Sequence, residues 1–405
     1  MAVIGNPGLA ELAPYPFERL RTLLADTKPP ADLEPVRLSI GEPQHPVPPL
    51  ITDALKTGAA ESLGRYPASA GSGELRETIA SWIRQRYALP DQAMCAERHV
   101  LPVAGTREAL FAVTQALLDP ARRPLVLMPN PFYQIYEGAA WLAGGAPVYL
   151  NTWADGQGLP DLDAVSESTW ARCGLIYLCS PGNPGGQVIP LGFWKRLFAL
   201  QDRHGFVIAA DECYSELYRD ENQPPLGLLE ACRQSGRDDF NGCLVFHSLS
   251  KRSNAPGLRA GFVAGDARLI SHFARYRTYQ GCALPLHSQD AAMAAWRDEA
   301  HVLANRDAYR EKFRLASARL QGIAPYEEPA AGFYVWLPVP GGDEEDFTRR
   351  LYAARGVTVL PGRYLSRPTE QGDPGAGHVR LALVAPLGIC EDALNRIRDF
   401  LTHQY

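Results

Sequence analysis

The chain has 405 residues, of which 46% are apolar and 21% charged, and a net charge of −5. That length exceeds one simple core and predicts two domains, and the acidic balance gives no basic excess to draw the chain to nucleic acid. No apolar run approaches the roughly 20 residues that a membrane helix needs, and the opening "MAVIGNPGLAELAPYPF" lacks the regions of a secretory signal.

In chain order, the Pro-rich stretch Glu42–Pro49 reads as a crossing between parts of the fold. Gly73–Tyr87 carries Leu75, Ile79, Trp82 and Ile83 on one stripe and predicts a helix. Cys95 and His99 are four apart, but no second pair lies nearby, so no metal site is expected. The eight cysteines form no C-x-x-C, and several sit in apolar runs, as in "LIYLCSP". They read as small buried hydrophobes in a reducing, cytoplasmic setting.

Short apolar strands then alternate with helices. Strands are predicted at 99–105, 124–129, 146–151, 174–181, 206–211, 243–248 and 259–265, with helices at 106–119 and near 133–144. Near-continuous apolar strands between helices predict an α/β fold: a mainly parallel, seven-stranded sheet covered on both faces. The pattern changes near residue 285. One long helical stretch, Ser288 to about Leu320, leads to strands at 332–339, 356–362 and 378–384 and a closing helix at about 391–403, a smaller α+β unit. The expected organisation is an N-terminal arm over 1–46 that packs with the small domain, a large domain over 47–287 and a small domain over 288–405.

In such sheets ligands bind at the carboxyl ends of strands, and several polar residues fall there. Gly105 and Thr106 follow a strand and open a helix, whose unpaired N–H groups suit a phosphate; the same turn also fits an ordinary N-cap. Asn183 precedes Pro184 in "SPGNPGG", which also fits a plain turn. Asp211 ends an apolar strand, with Tyr214 three residues on; it fits a metal ligand, a buried cap or the partner of a cationic ring nitrogen. Lys251 follows another strand. Partly desolvated there, its amine becomes nucleophilic. Ser248 and Ser250 offer hydroxyls beside it, and Arg259 offers a fork suited to phosphate. Arg380 lies within an apolar strand, where a guanidinium needs an anion, either structural or a substrate carboxylate. Together the phosphate seat, the Asn turn, the Asp, the activated Lys and the phosphate Arg describe one cofactor, pyridoxal 5′-phosphate.

These stretches carry a resemblance. "LSIGEP", "YPASAGSGELR", "AGTREA", "PNPFY", "SPGNPGG", "DECYSELY" and "SLSKRSNAPGLRAGF" resemble the fold-type I, class I/II aminotransferases over essentially the whole chain. Within that family "NPFYQIYEGAA", "SLSKRSNAPGLRAGFVAGD" and "YRTYQGCALP" are similar to the N-succinyldiaminopimelate aminotransferases of bacterial lysine biosynthesis. The resemblance implies that Lys251 anchors the cofactor covalently and moves the substrate Cα proton. It implies that Asp211 pairs with the pyridine nitrogen, that Tyr214 and Asn183 bond the phenolic oxygen, and that Tyr133 stacks on the ring. Gly105, Thr106, Ser248 and Arg259 would hold the phosphate, with Ser250 shaping the turn or joining them. Arg107 would contact phosphate or a substrate carboxylate. Tyr66 would reach the phosphate of a partner subunit, so a homodimer is expected. Arg380 and Asn183 would meet the substrate α-carboxylate, with the Ile40–Gly41 backbone closing over it. Gly185 stands where many relatives have Thr, which loosens that turn. For the far carboxylate of the substrate, Arg107, Arg252 and Arg363 are the candidates.

The implied reaction passes the amino group of L-glutamate to N-succinyl-2-amino-6-oxopimelate. Another aminotransferase or a C–S lyase of the same fold is the alternative. A non-catalytic regulator would need a DNA-binding segment, and none is evident. A nicotinamide or ATP enzyme would need a complete Gly-rich motif, and "GSGELR" has two glycines with no strand before it.

Overall fold

The computed structural model describes residues 5–152 and 158–404. Residues 1–4 of the expected arm and residue 405 of the expected small domain lie outside them. Strand β1 (Val36–Arg37) precedes two helices, Pro49–Ser62 and Gly73–Arg86. The Ser72 hydroxyl accepts from the Leu75 amide and starts the second helix, satisfying one of the donors that every helix N-terminus leaves over.

There follow β2 (Val100–Val103), β3 (Leu125–Asn130), β4 (Ala146–Asn151), β5 (Cys173–Cys179), β6 (Val207–Asp211), β7 (Cys243–Ser248) and β8 (Gly261–Gly265). Among the described residues these seven form one sheet in the order β2-β8-β7-β6-β5-β3-β4. Strands β3 to β7 run parallel. β8 is antiparallel to both its neighbours. Side chains alternate between faces along each strand. Ile176 and Leu178 therefore join one apolar core with Trp82, Trp194 and Phe262, while Leu175 and Tyr177 join the opposite one with Leu110, Met128 and Phe246. Both faces are covered, as the apolar strands predict.

The single helix expected from Ser288 to Leu320 is two, Leu286–Arg297 and Ala300–Leu320. Asp298 between them is extended, and its carboxylate accepts from the His301 amide at 2.9 Å. The break is a new N-terminus capped by a side chain, and apolar spacing alone does not register it. The first helix packs on Pro49–Ser62. The second leads to β9 (Tyr334–Pro338), β10 (Val357–Thr358), β11 (Leu360–Pro361) and β12 (His378–Ala382). Strands β11-β12-β9 form an antiparallel sheet, and β10 pairs with β1 in parallel. A further core, with Leu38, Phe313, Val335, Leu381 and Phe400, lies there. It joins the N-terminal strand to the C-terminal elements.

Candidate active site

A cavity of about 530 Å³ opens at the carboxyl ends of β5, β6 and β7. The reversed strand β8 shapes it. Because β8 runs antiparallel, its first residue, Gly261, sits opposite Ser248 at the end of β7 and Val103 at the end of β2. The residues just before β8 and just after β2 and β7 thus converge on one rim.

On that rim Gly105, with φ +87°, precedes the helix Thr106–Leu117. A Cβ at position 105 would run into the Arg259 guanidinium, so only glycine lets the arginine lie against the helix start. Arg259 is itself left-handed (φ 56°) and donates to Pro256 O at 3.0 Å and Ala104 O at 3.4 Å. The Ser248 hydroxyl accepts from the Ser250 amide at 3.1 Å and donates to the Ser250 hydroxyl at 2.9 Å. Thr106, Ser248, Ser250 and Arg259 all line the cavity. Three hydroxyls, a guanidinium and a helix N-terminus form an anion seat.

Lys251 lies on the short helix Leu249–Arg252 that leaves β7. Its Nζ donates to Gly41 O at 2.6 Å and sits 5.3 Å from the centroid of the Phe333 ring. Burial, helped by the nearby charge of Arg380, drives its pKa down to about 8. Asp211, 5% exposed, accepts from the Tyr136 hydroxyl at 2.7 Å and the Cys213 amide at 3.2 Å. Burial pushes its carboxyl above the ordinary carboxylate range. Such a carboxylate stays charged best beside a cation. The Tyr214 hydroxyl lies 3.3 Å from that of Tyr334, and burial keeps this phenol protonated.

Arg380, in β12, donates to Asn183 Oδ1 at 2.9 Å and to Ser39 O at 3.0 Å and stacks over Tyr334 at 4.2 Å. Its Nε is buried with no partner among the described residues. A buried guanidinium with an unused Nε and no carboxylate partner among the described residues is poised for an anionic ligand. The Asn183 turn is closed by Gly182 N to Gln187 O at 2.9 Å and Gly186 N to Gly182 O at 2.8 Å; Gly185 leaves it closed, and the positive φ falls on Gly186.

Tyr133 and Arg107 also line the cavity. Arg107 donates from Nε to the Tyr133 hydroxyl at 2.7 Å and from Nη2 to the Tyr15 hydroxyl at 3.2 Å. Ile40 and Gly41 form part of the same wall. Tyr66 does not line it and is fully exposed. Two candidates for the far carboxylate go elsewhere. Arg252 is buried, bonds Glu299 and the Ala295 carbonyl, and packs by Trp82 and Trp296. Arg363 pairs with Glu344 at 3.1 Å. Both are structural ion pairs, and neither lines the cavity. Sequence reasoning missed Tyr15, Tyr136, Cys213 and Tyr334. Tyr136 is one helical turn beyond Tyr133, a weak signal; the others have none.

The cavity fits pyridoxal 5′-phosphate. An amine held near neutrality suits its aldehyde, a buried carboxylate suits its ring nitrogen, and a separate seat suits its phosphate. These features define a pyridoxal-phosphate-dependent enzyme on an α/β scaffold. The chain belongs to the aminotransferases of class I and II, the family that matches residues 34–389. It is 30% identical to an LL-diaminopimelate aminotransferase of Nitratidesulfovibrio vulgaris, over 96% of this chain and 97% of that protein. Among solved structures, an aminotransferase from Neisseria meningitidis is 48% identical with a TM-score of 0.94, covering 98% of this chain and 100% of that one. A probable N-succinyldiaminopimelate aminotransferase from Thermus thermophilus is 27% identical with a TM-score of 0.82, covering 95% and 98%. Among the described residues no helix is long and apolar enough to cross a membrane.

Proposed function

We propose that the chain transfers the amino group of L-glutamate to N-succinyl-2-amino-6-oxopimelate, releasing 2-oxoglutarate and N-succinyl-LL-2,6-diaminopimelate. The observation that supports this reading is Arg107. Hydroxyls of Tyr15 and Tyr133 hold it on the cavity wall, and no carboxylate pairs with it among the described residues. With Arg380 it gives two fixed cations, which suit a substrate anionic at both ends.

In this reading Lys251 is the covalent anchor and the base that takes the proton from the substrate Cα, two roles that a lowered pKa serves. Asp211 holds a proton on the ring nitrogen, oriented by Tyr136. Tyr214 and Asn183 orient the ring oxygen, Tyr133 flanks the ring, and Gly105, Thr106, Ser248, Ser250 and Arg259 hold the phosphate. Arg380 grips the α-carboxylate while the Ile40–Gly41 backbone excludes water. When bound, the cofactor supplies an electron sink for the pair left at Cα. A second copy of the chain would bring Tyr66 to the phosphate, making a homodimer the working unit.

Glu42, also on the wall, favours a second reading, the free LL-2,6-diaminopimelate named for several relatives, whose far ammonium a carboxylate suits. With 2-oxoglutarate as acceptor, glutamate formation is compared for LL-2,6-diaminopimelate and its N-succinyl derivative as donors. The proposal expects kcat/KM at least about tenfold higher for the succinylated donor, a difference of about 1.4 kcal/mol. The opposite ratio moves the assignment to the second reading. Glutamate from neither sinks both, and release of ammonia and pyruvate instead marks a lyase. Lys251→Ala is expected to lose the absorbance of retained cofactor and at least about 100-fold in turnover, measured by spectrophotometry and initial rates.

A further inference from the structure

Behind Lys251 lies a buried polar chain that the chemistry above does not use. The helix Leu249–Arg252 is a single turn, so its last carbonyls have no intrahelical donors. Asn305, from the helix Ala300–Leu320, supplies them. Its Nδ2 donates to Lys251 O at 3.1 Å and to Arg252 O at 3.2 Å. That fixes the amide: Oδ1 faces away and accepts from Asn254 Nδ2 at 2.9 Å.

The fixed amide sets the next member. His45 Nδ1 lies 2.9 Å from Asn305 Oδ1. An acceptor stands opposite, so Nδ1 carries the proton and Nε2 is left as an acceptor. Lys312 Nζ, 2.6 Å away, donates to it. Lys312 is 1% exposed and has no carboxylate partner among the described residues. Burial of His45, with the charge of Lys312 beside it, lowers the imidazole pKa and favours its neutral form. Asn305, Tyr309 and Lys312 stand at i, i+4 and i+7, one face of the helix, and Tyr309 lies against the His45 ring with centroids 4.7 Å apart. The hydrogen bonds run in one direction, from Lys312 through His45 and Asn305 to the peptide of Lys251.

His45 also ends the segment that carries Ile40 and Gly41 over the cavity. At its start the segment is held by Ala382 N to Leu38 O at 2.6 Å. Near its end Gln44 N bonds Val384 O at 3.2 Å. Gly41 O, midway, is the acceptor for Lys251 Nζ. Lys251 is thus reached from both sides: at its amine by the covering segment, and at its carbonyl by Asn305.

We propose that His45 and Asn305 are positioning residues for the transamination, a relay that holds the covering segment 40–45 and the turn bearing Lys251 in one register. It rests on the family assignment and not on the choice of acceptor.

The test uses holoenzyme and three variants. Hydrogen exchange is followed in peptides spanning 38–46 and 249–255, with kcat and KM for L-glutamate and the thermal midpoint. His45→Ala is expected to speed exchange in both peptides and to raise KM about tenfold while kcat changes less than about threefold. In His45→Gln one amide can donate to Asn305 and accept from Lys312, and KM is expected to return to within about threefold of the parent. Exchange confined to 38–46, an unmoved KM, or a Gln variant no better than Ala overturns the relay. Should His45→Ala not fold, Lys312→Met decides. It leaves His45 in place but removes the donor that holds its Nε2, so the ring is held only at Nδ1. Faster exchange in both peptides supports the relay, and exchange at the parent level overturns it. Inactivity of the parent toward L-glutamate would indict the donor alone, and exchange would still decide.

Discussion

At the scale of single residues the site works by leaving chosen groups incompletely satisfied. Arg380 has spent two of its donor groups on Asn183 and Ser39 and keeps a buried Nε. An ammonium at position 380 would keep the charge and lose the planar fork. Arg380→Lys is therefore expected to raise KM for the amino donor by about tenfold or more, the weight of one charge-assisted hydrogen bond, in initial-rate measurements. Gly105 shows the opposite economy, since its value lies in what it lacks. Gly105→Ala meets a positive φ and displaces the Arg259 guanidinium, so the cofactor is expected to bind about tenfold more weakly, from a backbone cost near 1 kcal/mol and a shifted arginine. Fluorescence titration of cofactor-free protein reads it.

At the scale of elements, what was legible in the sequence follows from periodicity. Strands such as "CLVFHS" open on apolar residues and are buried throughout because both faces are covered, and the polar residues at and just beyond their carboxyl ends, Asp211, Ser248 and Lys251, are therefore readable as candidate site residues. The antiparallel sense of β8 was not legible, because strand direction leaves no mark on composition. Nor was the break at Asp298, or the fate of Arg252, whose neighbours along the chain do not reveal Glu299 and two tryptophans in space. The helix Ala300–Leu320 hides another such case in Lys312. Burial lowers its pKa from 10.5 to about 8. The unfolded chain therefore binds more protons between those values, and stability rises with pH from about 8 to 10.5. Below about pH 8 the full penalty applies, about 3 kcal/mol, against about 1–2 kcal/mol for the hydrogen bond to His45. Lys312→Met is thus expected to raise the thermal midpoint at pH 7, and the gain to shrink as pH climbs toward 10.5. A variant steadier in melting yet looser around Lys251 would separate fold from positioning.

At the scale of the whole molecule, Tyr66 stands fully exposed while the rim proposed to hold phosphate lies elsewhere on the same chain. If a second copy supplies it, hybrids of Tyr66→Phe and Lys251→Ala protomers contain one damaged and one intact site. Mixing the two weak variants is then expected to restore about half of parental activity per hybrid dimer, where uncoupled monomers would give only the sum of the parts. The spread of the site along the chain has a consequence of its own. Arg380 bonds Ser39 across 341 positions, and Lys251 bonds Gly41 across 210. Loops of that size close late, since their entropy must be met before their contacts return it. During synthesis Lys251 emerges well before the arginine that shares its cavity. A chain that has reached Lys251 but not residue 380 still lacks the guanidinium proposed to take the α-carboxylate. The cavity is complete only when both ends of the chain have folded together, so the proposed site is a product of the whole chain and of no part of it.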